Sequence, residues 1–167
     1  MKPVVLDPGS PLARLIAAPL RPGIVAWMGL RPARQAAVNP VTRASLNPVE
    51  GLVGDRYTGR SGARHVTLIQ AEHLAAIAAF LGLDEVLPAA LRRNIVVRGL
   101  NLLALKGQRF GLGTAVLEGT GECHPCSRME ETFGPGGYNA VRGHGGITAR
   151  VLEAGEVALG ESVRRLS

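Results

Sequence analysis

The sequence predicts a mainly β fold: a closed or nearly closed, mostly antiparallel β-barrel with a few helical insertions. Three observations predict it. Seven or eight short segments carry strand patterning, a single segment carries a sustained helical period, and turn residues recur at short intervals. Strands do not alternate with helices in a βαβ register, which disfavours a doubly wound nucleotide-binding sheet.

Residues 1–21 hold Pro and Gly-Ser breakers and little periodicity, and read as a loose or partly docked N-terminal tail. Residues 22–167 read as a single barrel domain. Ile24 to Leu30 is a short apolar run closed by Arg31-Pro32, a buried strand. Val38 to Ser45 reads as a second strand, with Pro40 marking an edge or a bulge. A long polar loop runs from Gly51 to Gly62. His65 to Ile69 alternates and is β-branched, a third strand. Ala71 to Leu81 places Ala71, Leu74, Ala75, Ala78 and Leu81 on one face, a helix stopped by Gly82. Asp84-Glu85 open a second short helical stretch that Pro88 limits. Asn94 to Gly99 is a strand, Leu102 to Leu105 an apolar turn-bounded piece, and Arg109 to Glu118 one strand kinked at Gly111 and Gly113. Ile147 to Glu153 and Val157 to Val163 read as a closing hairpin across Ala154-Gly155.

A chain of 167 residues is one domain by length, large enough to bury a real core. With 46% hydrophobic and 19% charged residues, it is globular and not disordered. Aromatics at 4% argue against a base-stacking platform. The net charge is +6, and 17 of the 19 basic residues are Arg. A compositional bias toward Ala, Gly, Arg and Pro explains most of this. The functional reading is an anionic ligand, because Arg grips phosphate bidentately. Like charges form no run, so nucleic acid is not an expected partner. The start of the chain has no apolar signal region, and no apolar run reaches the ~18 residues of a membrane span. The expected setting is cytoplasmic, with no membrane partner. There, two Cys point to catalysis, metal binding or redox work before a structural disulfide.

The densest chemistry lies in Gly119 to Glu130, which holds Cys123-His124-Pro125-Cys126-Ser127-Arg128. It follows a predicted strand and opens a predicted helix. Ser127 and Glu130 have capping-box spacing, which sets Cys126 just before the N-cap. A thiol there feels the positive end of the helix dipole, and His124 and Arg128 add positive charge or a proton acceptor. The thiolate is both nucleophile and soft metal ligand. The C-x-x-C pair also fits half a zinc site, a dithiol redox pair or buried filler. No second ligand pair supports zinc, and the strand–helix alternation of a redox fold is missing. Filler is disfavoured for Cys126 and stays an even alternative for Cys123.

Three further groups stand out. Arg92-Arg93-Asn94 precedes a strand and reads equally as an anion grip or a solvated basic turn. The Gly-rich stretch Gly134 to Gly146 offers backbone N–H groups to an anion, or simply turns. Gly51 to His65 brings Asp55, Arg56, Arg60, Arg64 and His65, with His65 read as structural before ligand. His73, on the helix, reads as surface. No paired carboxylates stand at a spacing that suggests glycosidase or aspartic chemistry, and a G-x-S-x-G elbow and a Walker A loop are missing.

Together, Gly54-Asp55-Arg56, His65-Val66-Thr67-Leu68-Ile69 with Ala71-Glu72-His73-Leu74, Arg92-Arg93-Asn94 to Gly99, Pro125-Cys126 and Gly146 to Gly160 resemble the MOSC domain. That is the C-terminal domain of molybdenum cofactor sulfurases, which also occurs as small stand-alone bacterial proteins. The resemblance spans residues 22–165 and implies a MOSC, pyruvate-kinase-like barrel. It places the family's reactive Cys on Cys126, as a persulfide carrier or a molybdenum ligand. It places cofactor-holding groups on Arg92 and Asn94, with Arg128, Asp55, Arg56 and Thr67 beside them. Catalytic roles fall on Cys126, Cys123 and His124, with Cys123 a departure that could resolve a persulfide as a disulfide. The implied cofactor is the molybdenum cofactor, molybdopterin. Neither Lys2 nor Lys106 is placed to anchor pyridoxal phosphate, so a separate pyridoxal-phosphate-dependent cysteine desulfurase is the implied sulfur donor. The acceptor is a metal–sulfur protein or molybdopterin. The implied function is a sulfur carrier or transferase. The alternatives are a molybdenum-dependent reductase of N-hydroxylated compounds and a non-catalytic cofactor-binding module.

Overall fold

The computed structural model describes residues 5–57, 59 and 61–167. Lys2 and Arg60 lie outside them. Helix α1 (Pro11–Ala17) starts at Ser10, whose hydroxyl accepts from the Ala13 amide. No residue of α1 is buried, yet its end is held. Arg165 donates to the carbonyls of Ile16, Ala17 and Ala18 at 2.8, 2.6 and 2.7 Å. The tail reading is corrected to that extent: a capped helix docks on the last strand.

The strands follow in chain order: β1 (Gly23–Leu30), β2 (Asn39–Pro40), β3 (Arg43–Asn47), β4 (Gly51–Leu52), β5 (Val66–Gln70) and β6 (Ile95–Arg98). Then come β7 (Arg109–Leu112), β8 (Ala115–Glu122), β9 (Ile147–Glu153), β10 (Gly155–Ala158) and β11 (Ser162–Arg165). Seven of them form a ring in the order β11, β7, β8, β9, β5, β6, β1, and β1 returns to β11. That seam rests on Gly23 opposite Val163 and Ile24 opposite Ser162. β10, β3 and β4 make a second, three-stranded sheet. The expected mainly β, mostly antiparallel barrel is what the chain forms.

One ladder is parallel. β5 and β6 pair with Leu68 opposite Ile95 and Gln70 opposite Val97, joined through helix α2 (Ala71–Leu81). So the fold holds a single βαβ crossover inside an otherwise antiparallel ring. Both strands are buried on two faces: Ile95 to Val97 of β6 is a continuous apolar run, and β5 buries Thr67 and Gln70 along with Val66, Leu68 and Ile69. Leu68, Ile95 and Val97 point into the barrel with Val25, Phe110 and Leu117. Ile69 and Val96 point outward under α2, against Ile77, Leu91, Met129 and Val141. Gly82 ends α2 in the left-handed region, with its N–H on the Ala78 and Ala79 carbonyls.

Four local readings change. The Val38–Ser45 segment is two strands, β2 and β3. Pro40, which lacks an N–H, sits on edge strand β2, paired only with β1. Asp84-Glu85 start no helix. Pro88 instead opens the 3-10 turn Pro88–Leu91, because its missing N–H costs nothing in a first turn. The Arg109–Glu118 segment is a hairpin of β7 and β8 turning at Gly113, whose φ is +57°. A Cβ there would strike the Glu156 carbonyl, so the turn needs glycine for space as well as dihedral. Finally, β9 and β10 do not pair. β10 leaves the ring to join β3, and β11 returns to pair with β7 and β1. No helix among the described residues is long and apolar enough to cross a membrane.

Candidate functional site

At the mouth of β1 and β6, a polar bracket is built from four side chains. Asp55, on the loop after β4, has a fully buried carboxylate. Its Oδ1 accepts from the Arg31 amide at 2.7 Å and Arg31 Nε at 3.1 Å, and its Oδ2 from Arg31 Nη2 at 2.7 Å. Asn94 Nδ2 donates to the same Oδ1 at 3.0 Å and to the Gly29 carbonyl at 3.2 Å. Asn94 Oδ1 accepts from the amide and hydroxyl of Thr67 at 3.1 and 3.0 Å. The bracket ties β1, the loop after β4, β5 and the start of β6 together. It also uses the hydrogen-bonding capacity of Asn94 internally.

Arg92 adopts φ +54°, a conformation that turns the chain sharply out of the 3-10 turn and into β6. Its Nη1 donates to the Ala36 carbonyl at 2.6 Å, while its Nη2 is buried without a partner. Burial first, then the charges of Arg31, Arg128 and Arg56, push the Arg92 pKa down. Asp55 pulls the other way. Arg93 is buried and donates to the carbonyls of Gly145 and Leu91, each at 2.8 Å, and of Cys123 at 3.4 Å. Burial lowers its pKa most, with Cys123 opposing.

These arginines line a cavity of about 430 Å³, formed by Arg31, Arg34, Arg56, Arg92, Arg93 and Arg128 with Leu91, Met129 and Cys126. A neighbouring cavity of about 330 Å³ is lined by Arg31, Arg56, Tyr57, Gly59, Arg64 and Thr67. Both cysteines are free; Cys126 is exposed and Cys123 is buried. Arg64 Nη2 lies 3.9 Å from Cys123 Sγ. Gly145 lets the loop before β9 lie on the Cys123 carbonyl, which a Cβ would strike.

The structure brings Cys126, Arg92, Arg128 and Arg56 to one cavity. Asp55 and Asn94 lie beneath it, as supports for Arg31. Thr67 lines the second cavity and also clamps Asn94. His124 is exposed and does not line either cavity; Cys123 faces inward. The capping box does not form. Ser127 makes no side-chain cap bond to helix α3 (Arg128–Phe133). Glu130 instead accepts from the Gly136 and Tyr138 amides at 3.0 and 2.8 Å, at the start of helix α4 (Gly137–Val141). That internal carboxylate takes the place proposed for a ligand anion in the Gly-rich stretch.

His65 is structural: its Nδ1 accepts from the Val151 amide at 3.2 Å, and its ring meets Tyr57 edge-on. His73 is half-buried against His144, with ring centroids 4.9 Å apart, so its surface reading is corrected. Burial first, then His144, lowers its pKa, with Glu72 opposing. Arg31 and Arg34 are the site residues that sequence reasoning missed. Arg31 closes an apolar run, and only its pairing with Asp55 across 24 positions marks it out. Among the described residues, no group of three or more His, Cys, Asp or Glu is placed to hold a metal ion.

Solved structures share this architecture. The YuaD protein of Bacillus subtilis superposes with a TM-score of 0.74 at 18% identity, covering 86% of this chain and 94% of that one. YiiM of Escherichia coli gives 0.68 at 19%, covering 88% and 70%. YiiM of Geobacillus stearothermophilus gives 0.64 at 17%, covering 87% and 73%. At such identities the likeness speaks for the fold alone. No curated protein sequence matches the chain. The family model for the MOSC domain matches residues 41–164, from just after β2 into β11 and over Arg56, Arg92, Arg93, Cys126 and Arg128 of the site, and on that match the chain belongs to the MOSC domain family.

Proposed function

We propose that this protein is a sulfur carrier or transferase associated with the molybdenum cofactor, with Cys126 as its working thiol. The observation that carries the reading is an exposed thiol lining a cavity with six arginines and no carboxylate among its described lining residues. Arg92 Nη2, buried without a partner, is a donor in want of an anion. The donor set suits molybdopterin: Arg92, Arg128 and Arg56 would hold its phosphate, and Cys126 is a soft ligand. When bound, that group would supply a metal centre able to accept sulfur.

The chain's own residues account for the rest. Cys126 thiolate attacks the terminal sulfur of a persulfide on a separate pyridoxal-phosphate-dependent desulfurase. The new S–S bond forms on Cys126 as the donor's thiolate leaves, so no external oxidant is needed. The arginines stabilise the anionic persulfide and bring the anionic acceptor to it.

The test is expression in a host that makes molybdopterin, with molybdenum and cyanide-labile sulfur measured per chain. Labile sulfur that disappears in Cys126→Ser is the expected result. Molybdenum near one per chain without labile sulfur would replace this reading with the metal-ligand one, a reductase or a binding module.

A further inference from the structure

The arginine basin has two lobes, and their division of charge bears on what fits. Arg31 and Arg56 line both cavities, which therefore adjoin across these side chains. Of the two lobes, Arg92 and Arg128 line that of Cys126 and Arg64 lines the other, with Tyr57; Arg92 and Arg128 also line an adjoining cavity with Glu131. No carboxylate lines either lobe among the described residues. Among the described residues, Asp55 is the acid that forms an ion pair with the cluster. Its side chain is fully buried, and its oxygens are taken by Arg31 and Asn94.

Arg31 is answered by Asp55, whereas Arg56 and Arg64 reach solvent and are free to take a ligand, so one phosphate seated beside Cys126 leaves Arg64 of the second lobe unused. The mutual pressure of these groups already lowers the Arg92 pKa, after burial. We propose that the basin takes a ligand bearing two linked phosphate groups, one in each lobe, with Arg31 and Arg56 shared between them. This rests on the anionic-cofactor reading above and deepens it by naming the ligand class: a diphosphate-bridged molecule.

Titration calorimetry at fixed ionic strength with inorganic phosphate and inorganic pyrophosphate tests it. The proteins are wild type, Arg128→Gln and Arg64→Gln, each checked for unchanged circular dichroism. Pyrophosphate should bind one per chain and at least tenfold tighter than phosphate. Each variant should weaken pyrophosphate at least tenfold, because each removes a grip from a different lobe. Pyrophosphate binding that responds to only one variant, or that merely equals phosphate binding, overturns the two-lobe ligand and leaves the anionic-cofactor reading standing. If neither anion binds wild type, the anionic-cofactor reading falls, and this inference with it.

Discussion

Arg31 and Asp55 meet side-on, with Nε to Oδ1 at 3.1 Å and Nη2 to Oδ2 at 2.7 Å, under a roof of five other arginines. The pair fixes where Arg31 stands and keeps one negative charge beneath the cluster. Asp55→Ala should therefore cost about 3–5 kcal/mol, the range for stripping one partner from a buried pair. Urea unfolding with an unchanged slope would measure it; a loss below about 1 kcal/mol would mean the pair is not a keystone.

Asn94→Ala should destabilise through different atoms. It orphans the buried Thr67 amide and hydroxyl and removes a donor from Asp55. Each orphaned group costs about 1–3 kcal/mol. Because Asn94 supports the cavity floor and does not line the cavity, phosphate affinity should fall far less in Asn94→Ala than in Arg92→Gln. Equal losses in the two variants would show that Asn94 touches the ligand after all.

The two thiols should separate cleanly under alkylation. Cys126 is exposed and Cys123 is 3% exposed, packed beside Arg64. Iodoacetamide should modify Cys126 alone in the native protein and both residues after denaturation. Mass spectrometry of the two peptides reads this, and rapid native labelling of Cys123 would contradict the buried placement.

Stability should fall on mild acidification. Burial first, and then Arg150, hold the His65 pKa below its usual value of about 6.5. The neutral ring is the form that accepts the Val151 amide. The unfolded chain thus binds a proton more readily, so the stabilisation is complete above about pH 6.5. It is lost as the pH drops from there through the lower folded value. His73 is lowered for the same leading reason and adds in the same direction. Melting temperature followed from pH 7.5 to 5 should show the decline, and His65→Gln combined with His73→Gln should flatten it. An unchanged slope in the double variant would place the effect elsewhere.

Much of this architecture was legible because burial writes directly into sequence. Ile95 to Val97 is an apolar run since both faces of that strand are covered, and Val66 to Gln70 is rich in β-branched residues and buried throughout. Helix α2 buries Ala78 with Ala71, Leu74 and Leu81 partly covered as its period predicts, while Ile77 takes the place expected for the exposed Ala75. The Pro-Cys setting singles out Cys126, which the fold leaves free and exposed at the arginine cavity. What failed were choices among partners that local spacing cannot rank. Glu130 stands three residues after Ser127, as in a capping box, yet the Gly136 and Tyr138 amides claim it. The Ala154-Gly155 turn looks like a hairpin, yet β10 finds a better edge on β3. Arg31 reads as the polar end of a strand until the loop after β4 carries Asp55 back to it. Long-range pairing decides each of these, and none leaves a local trace.

The seam of the ring has a consequence for synthesis. Gly23 and Ile24 wait for Ser162 and Val163, so the barrel cannot close until β11 has been made. At about 5–20 residues per second, β1 spends several seconds as an open edge while the arginine cluster and Cys126 emerge behind it. Until β11 is made, the edge of β1 that will meet it stays open to other nascent chains, although its other edge can already pair with β6. Closure is thus a late, concerted event, and slow refolding from denaturant is the kinetic mark expected of so non-local a join.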